Sequence, residues 1–104
     1  MLQILKKCSD KYLKMYKIEY TNRFRKDLRR CSKRGLDMSK ILKVVKLLEL
    51  NGELPIDYKP HKLVGDRKGQ WECHIQPDWL IVWEQDDECL TLLFLQTGTH
   101  SDLF

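Results

Sequence analysis

Trp71-Glu-Cys-His74-Ile-Gln-Pro77-Asp78-Trp79-Leu-Ile-Val-Trp83 is the stretch on which the fold turns. Pro77-Asp78 is a turn pair set between two strand-like runs, 71–76 and 79–84. The acidic turn Gln85-Asp-Asp-Glu88 then leads into a third run, 89–96. Trp79 to Trp83 is apolar at every position but has strand length, so it reads as a central strand covered on both faces. Three neighbouring strands joined by short turns form an antiparallel meander. The end of the first, the start of the second and the end of the third then share one edge. Those positions hold His74, Asp78 with Trp79, and the run Gln96-Thr-Gly-Thr-His100. Alternation puts Trp71, Cys73 and Ile75 on one face of the first strand and Glu72 and His74 on the other.

Working back toward the start, Gly65-Asp-Arg-Lys-Gly69 is a loop that lets Lys62-Leu-Val64 fold onto Trp71-Glu-Cys73 and bring His61 to the same edge. Asp37 to Leu50 has helical periodicity, with Met38, Ile41, Leu42, Val45 and Leu48 as its stripe and Val44 and Leu47 widening it. Asn51-Gly52 and Pro55 stop it. An earlier helix is capped by Thr21 or Asn22, carries Phe24, Leu28 and Cys31 on one face, and ends at Gly35. Tyr16 to Tyr20 reads as a strand. The expected fold is therefore α+β, in the order β-α-α-β-β-β, with a two-helix hairpin packed on a small, mainly antiparallel sheet.

A chain of 104 residues makes one domain. Residues 1–14 read as an extension, a short frayed helix or a stretch added by an upstream start, and 15–104 as the domain proper. No apolar run approaches the roughly 20 residues that cross a bilayer, and residues 1–14 lack the continuous apolar stretch of a secretory signal; a cytoplasmic protein is expected. The net charge of +4 hides an asymmetry. Residues 1–35 carry twelve Lys or Arg against three acids, and the remainder seven against twelve. Such a basic segment suits a polyanionic partner, RNA or an acidic protein, although charge alone does not distinguish the two.

Cys8, Cys31, Cys73 and Cys89 form no C-x-x-C pair and read as reduced thiols rather than as a zinc or redox motif. The spacing of His61, His74 and His100 matches no compact ligand pattern, so no metal or other cofactor is expected. Taken singly, each histidine is best read as an ordinary surface residue. Their convergence with Asp78 is what points to acid–base chemistry near neutral pH.

Three blocks carry a resemblance to a known family: Tyr58-Lys-Pro-His61-Lys-Leu-Val-Gly65, Cys73-His-Ile-Gln-Pro-Asp-Trp79 and Thr97-Gly-Thr-His-Ser-Asp-Leu-Phe104. From Met15 to Phe104 the chain resembles the YafQ-type toxins of the RelE/ParE superfamily of bacterial toxin–antitoxin systems. The resemblance implies a ribosome-dependent endoribonuclease that cuts mRNA, held inactive by a cognate antitoxin of ribbon-helix-helix type. Its active-site positions fall on His61, His74, Asp78, Trp79, His100 and Phe104. His100 with His74 and Asp78 is expected to move protons, His61 to donate to phosphate, and Trp79 and Phe104 to stack on a base. The family commonly has arginine before the Thr-Gly-Thr-His block, where this chain has Gln96, which brings no charge. Arg67 and Lys68 are the candidates to replace that charge, and Gln96→Arg is expected to raise the rate. Two competing readings use the same fold: a ParE-like toxin that binds DNA gyrase, and an inactive homologue kept as an antitoxin-binding module.

Overall fold

The computed structural model describes residues 15–104; the expected extension lies outside them. Strand β1 (Lys17–Tyr20) is followed by helices α1 (Asn22–Lys33) and α2 (Met38–Asn51). Then come β2 (His61–Lys62), β3 (Gln70–Gln76), β4 (Trp79–Asp86), β5 (Thr91–Gly98) and a terminal turn of helix, α3 (His100–Leu103). The sheet runs β1-β5-β4-β3-β2, antiparallel throughout except for β1, which lies parallel to β5. The meander and the helix hairpin are as expected from the sequence. The parallel placement of β1, the helical turn α3 and the pairing of β2 one residue early, with His61 and Lys62 opposite Glu72 and Trp71, are additions to it.

The helices start where short polar side chains take up orphan N–H groups. Thr21 accepts from the N–H of Phe24, and Asp37 from that of Ser39. Gly52 ends α2 in a left-handed conformation, and the Tyr16 ring lies so close that a Cβ there would collide with it.

One face of the sheet packs against both helices. Trp79, Ile81, Trp83, Leu92, Phe94 and Cys73 meet Phe24, Cys31, Ile41, Val44 and Leu48. Each such large side chain contributes roughly 1.5–3 kcal/mol relative to exposure. The stripe of α2 is centred on Val44, and Leu42 lies outside it, 64% exposed. On the opposite face, Leu80 and Val82 are covered by Leu103 together with Leu63 and Leu95. Strand β4 is thus buried on both faces, as its composition implied.

Asp27 is a buried acid within the apolar stripe of α1. It receives Arg23 at 3.1 Å and Arg30 at 3.0 Å, and accepts the backbone N–H of Thr97 on β5. Arg34 reaches Asp102 at 2.6 Å. Two cations of the helix, Arg23 and Arg30, and Arg34 at its C-cap therefore brace β5 and α3. Among the described residues no helix is long and apolar enough to cross a membrane.

Candidate active site

The register lines up side chains across the face away from the helices. His61 on β2 pairs with Glu72 on β3, Glu72 with Val82 on β4, and Val82 with Gln96 on β5. One strand step nearer the edge, His74 pairs with Leu80 and Leu80 with Gly98. A strand rises about 3.3 Å per residue and the two rows are two residues apart, so they lie within a nucleotide's reach of each other. Gln96 joins this face through a bulge. Val82 pairs with Gln96 but Trp83 with Phe94, which leaves Leu95 as an extra residue. Were Leu95 paired regularly instead of bulged, alternation would put Gln96 on the helix-facing side with Phe94.

The block Thr97-Gly98-Thr99-His100 divides its work residue by residue. Thr97 is fully buried; its hydroxyl donates to the carbonyl of Leu80 at 2.7 Å and accepts the indole N–H of Trp79 at 3.0 Å. Gly98 has φ +155°, and a Cβ there would lie 2.7 Å from an Asp102 carboxylate oxygen. Thr99 caps α3 in a reciprocal box with Asp102. His100, the first residue of α3, is thereby aimed outward with little freedom of backbone.

Asp102 holds this end together. Its bonds to Arg34, then those from the N–H of Thr99, keep its carboxyl well below the usual carboxylate range. A depressed folded value contributes stability that is present above about pH 4 and fades as pH falls toward the folded value. Asp102→Asn should therefore lower stability at pH 7 by about 1 kcal/mol, a modest figure because the half-exposed Arg34 is screened by solvent. The gap to wild type should close as the pH is lowered below 4. Chemical denaturation across pH measures it, and a gap that persists in acid contradicts this role.

At the edge, His100 Nδ1 lies 3.2 Å from Asp78 Oδ1, which also accepts the His100 backbone N–H at 3.3 Å. These bonds, the side-chain one foremost, hold the Asp78 carboxyl below its ordinary range. An ionised carboxylate can only accept, so Nδ1 carries the proton and Nε2 is left for a substrate. His74 Nδ1 likewise faces the carbonyl of Pro77 at 3.3 Å. The two rings stand 5.9 Å apart, centre to centre, with their planes inclined at 54°. Two neighbouring imidazoles, each tied back at Nδ1, thus share one edge of the sheet.

His61 is held at both nitrogens. Nδ1 is 2.9 Å from the carbonyl of Lys59 and Nε2 is 3.2 Å from Glu72 Oε1. Lys59 adopts a left-handed φ of +50° to present that carbonyl, a strained geometry for a side-chain-bearing residue. Glu72 is buried, and its Oε2 has no hydrogen-bond partner among the described residues. Arg67 reaches over the same face; its guanidinium lies 2.9 Å from the carbonyl of Leu103, 3.5 Å from Gln96 Oε1, and 4.6 Å from the centre of the Phe104 ring. Phe104 is exposed. Lys68 is also exposed and is bonded through its backbone to Gly65. Trp79 corrects the expectation of a base-stacking platform: it is 1% exposed, its ring lies in the helix-side core, and its N–H is used by Thr97.

Residues 16–104 match the family described as bacterial toxin of type II toxin–antitoxin system, YafQ. The chain belongs to the YafQ toxin family. The mRNA interferase toxin YafQ of Escherichia coli K12 is 40% identical over 89 residues, which cover 84% of this chain and 94% of that protein. The toxin in the E. coli DinJ–YafQ toxin–antitoxin complex superposes with a TM-score of 0.79 at 38% identity, over 86% of this chain and 98% of its own. A metal-bound toxin from Helicobacter pylori superposes equally well, TM-score 0.79 at 39% identity, over 86% of this chain and all of its own.

Among the described residues of this YafQ-family chain, no three or more His, Cys, Asp or Glu side chains gather as a metal site. Burial pushes the Cys73 thiol up to about 12, which removes it as a nucleophile at neutral pH. Glu72 is the site residue that the sequence reading passed over. Its signal was present: an acid directly preceding Cys73, on the face shared with His74, opposite an apolar central strand.

Proposed function

We propose that this toxin is an endoribonuclease that cuts mRNA on the ribosome by attack of a 2′-OH on the adjacent phosphate. The observation that carries the reading is the neighbouring pair His74 and His100, ring centres 5.9 Å apart, each with Nδ1 tied to an acceptor. Such a reaction needs one group to take the hydroxyl proton, another to protonate the departing 5′-oxygen, and donors for the charged phosphorane. His100 and His74 are the acid–base pair, and Asp78 orients His100. His61 donates to phosphate once its Nε2 turns away from Glu72, and Phe104 offers an exposed ring for stacking on a base. The cations of α1 that make no internal pair face ribosomal RNA. Activity is restrained by a cognate antitoxin, in line with the DinJ–YafQ complex of E. coli; the family resemblance suggests one of ribbon-helix-helix type.

Inducible expression followed by mapping of transcript 5′ ends tests this. The expected result is new ends at a fixed position within codons, appearing only in translated regions. Growth arrest with a DNA-damage response and intact messages would point instead to a gyrase-binding toxin. No arrest at all would mark an inactive antitoxin-binding module.

A further inference from the structure

We infer that Arg67 supplies the phosphate-facing positive charge of this active site, with Gln96 and the two C-terminal residues as its mount. The inference rests on the nuclease reading above and names a residue for a task that reading leaves open. Three observations lead to it.

First, among the described residues no acid pairs with Arg67, and its contacts leave its charge in place. Its guanidinium touches the carbonyl of Leu103, the amide oxygens of Gln70 and Gln96, and the Phe104 ring, all of them uncharged. Arg23, Arg30 and Arg34 behave differently, since each lies against Asp27 or Asp102. An arginine meant only to brace the fold would resemble those three. A cation whose neighbours are acceptor dipoles and a π face is held in place yet keeps its charge for an anion.

Second, its position fits the chemistry. Gln96 stands in the same row as His61 and Glu72 and four residues before His100. A charge at Gln96 therefore lies on the open face, on the strand that leads into His100, where a phosphate attended by His100 would meet it. Gln96 brings no charge of its own but accepts, at long range, from Arg67. Third, the mount is built and only half-exposed. Arg67 ends a single helical turn, Gly65–Arg67, whose bracketing residues Gly65 and Gly69 take positive φ so that the loop folds back over the sheet. Leu103, which offers its carbonyl, is anchored by its side chain against Leu80 and Val82. Fixing a charge before the substrate arrives is what makes it effective in the transition state.

Single-turnover cleavage of ribosome-bound mRNA by four variants tests the inference. Arg67→Ala should slow cleavage by about 10²–10³-fold, the loss typical of removing one preorganised transition-state donor. Arg67→Lys should recover part of it, since an ammonium restores charge but not the planar fork. Gln96→Arg alone should bring no gain, because a second guanidinium would crowd the first; this revises the increase expected from sequence. Arg67→Ala combined with Gln96→Arg should regain most of the lost rate, because the charge returns close to the same point, now carried by β5. A structural role would not be rescued that way. Thermal unfolding of each variant accompanies the rates, to separate lost fold from lost charge. Arg67→Ala cleaving at the wild-type rate, or a double variant no faster than Arg67→Ala, overturns the inference. A wild-type protein that leaves the message intact overturns the nuclease reading itself, and this inference with it.

Discussion

Replacing His100 with alanine should lower single-turnover cleavage by about 10²–10⁴-fold, the range for loss of a positioned proton-transfer group. The fold should hardly notice, because the side chain is 56% exposed and, among the described residues, hydrogen-bonds only to the still more exposed Asp78. A surface change of this kind costs about 0.5 kcal/mol or less. Asp78→Asn is the companion. An amide can donate as well as accept, so it no longer dictates which ring nitrogen of His100 carries the proton, and the rate should fall with His100 still present. Cleavage rates paired with thermal melts check both. A large rate loss without a change in melting temperature is the expected pattern; unchanged cleavage by His100→Ala would remove the acid–base proposal.

Glu72→Leu should have the opposite signature, a more stable protein with little activity. Glu72 is almost fully buried on the sheet face where Val82, Leu80 and Leu103 pack, and its Oε2 has no hydrogen-bond partner among the described residues. Burying a carboxylate without satisfying both oxygens is unfavourable, and replacing buried charges by apolar groups of similar volume is often neutral or stabilising by about 1–4 kcal/mol. His61 loses its Nε2 partner, but being half-exposed it can turn to water at little cost. The carboxylate is thus retained at the expense of stability, as functional groups commonly are. Denaturant unfolding and cleavage kinetics on the same preparation decide it. Lost stability together with full activity would mean that Glu72 serves the fold and not His61.

The basic start of the chain deserves a divided reading after this. Arg23, Arg30 and Arg34 hold Asp27 and Asp102, and through them the Thr97–His100 segment. Lys26, Arg29 and Lys33 share the outer side of α1 with parts of that network and are the cations better placed for a polyanion. Substitutions that lump all of these together would confuse lost binding with a displaced His100.

What the sequence made legible follows from two periodicities and two turns. Alternation along 71–75 separated His74 and Glu72 from the core, and Pro77-Asp78 with the acidic turn set the strand directions that bring His74, Asp78 and His100 to one edge. The same alternation, carried through Trp79, Ile81 and Trp83, assigns Trp79 to the core, so its burial was readable there and was outweighed by the family resemblance. Asp27 sits at i+3 from Phe24 and i+4 before Cys31, an acid on an apolar stripe, which is a sign of an internal partner. Other features were out of reach. The bulge at Leu95 that turns Gln96 to the open face depends on how two strands meet, not on either strand's own pattern. The parallel contact of β1 with β5 joins residues over seventy positions apart, and nothing local announces it. The reach of Arg67 to Leu103 depends on the path of a loop and on the helical turn α3, which is stabilised by its cap rather than by its four residues.

The central claim is that His61, His74, His100 and Arg67 attend one nucleotide junction on the open face of the sheet. Titrating isotope-labelled protein with a short RNA whose reactive 2′-OH is replaced by hydrogen, and following the imidazole and guanidinium signals, tests it most directly. The account predicts that all four side chains shift together along one binding curve. Imidazoles that stay still while only the outer face of α1 responds would contradict it.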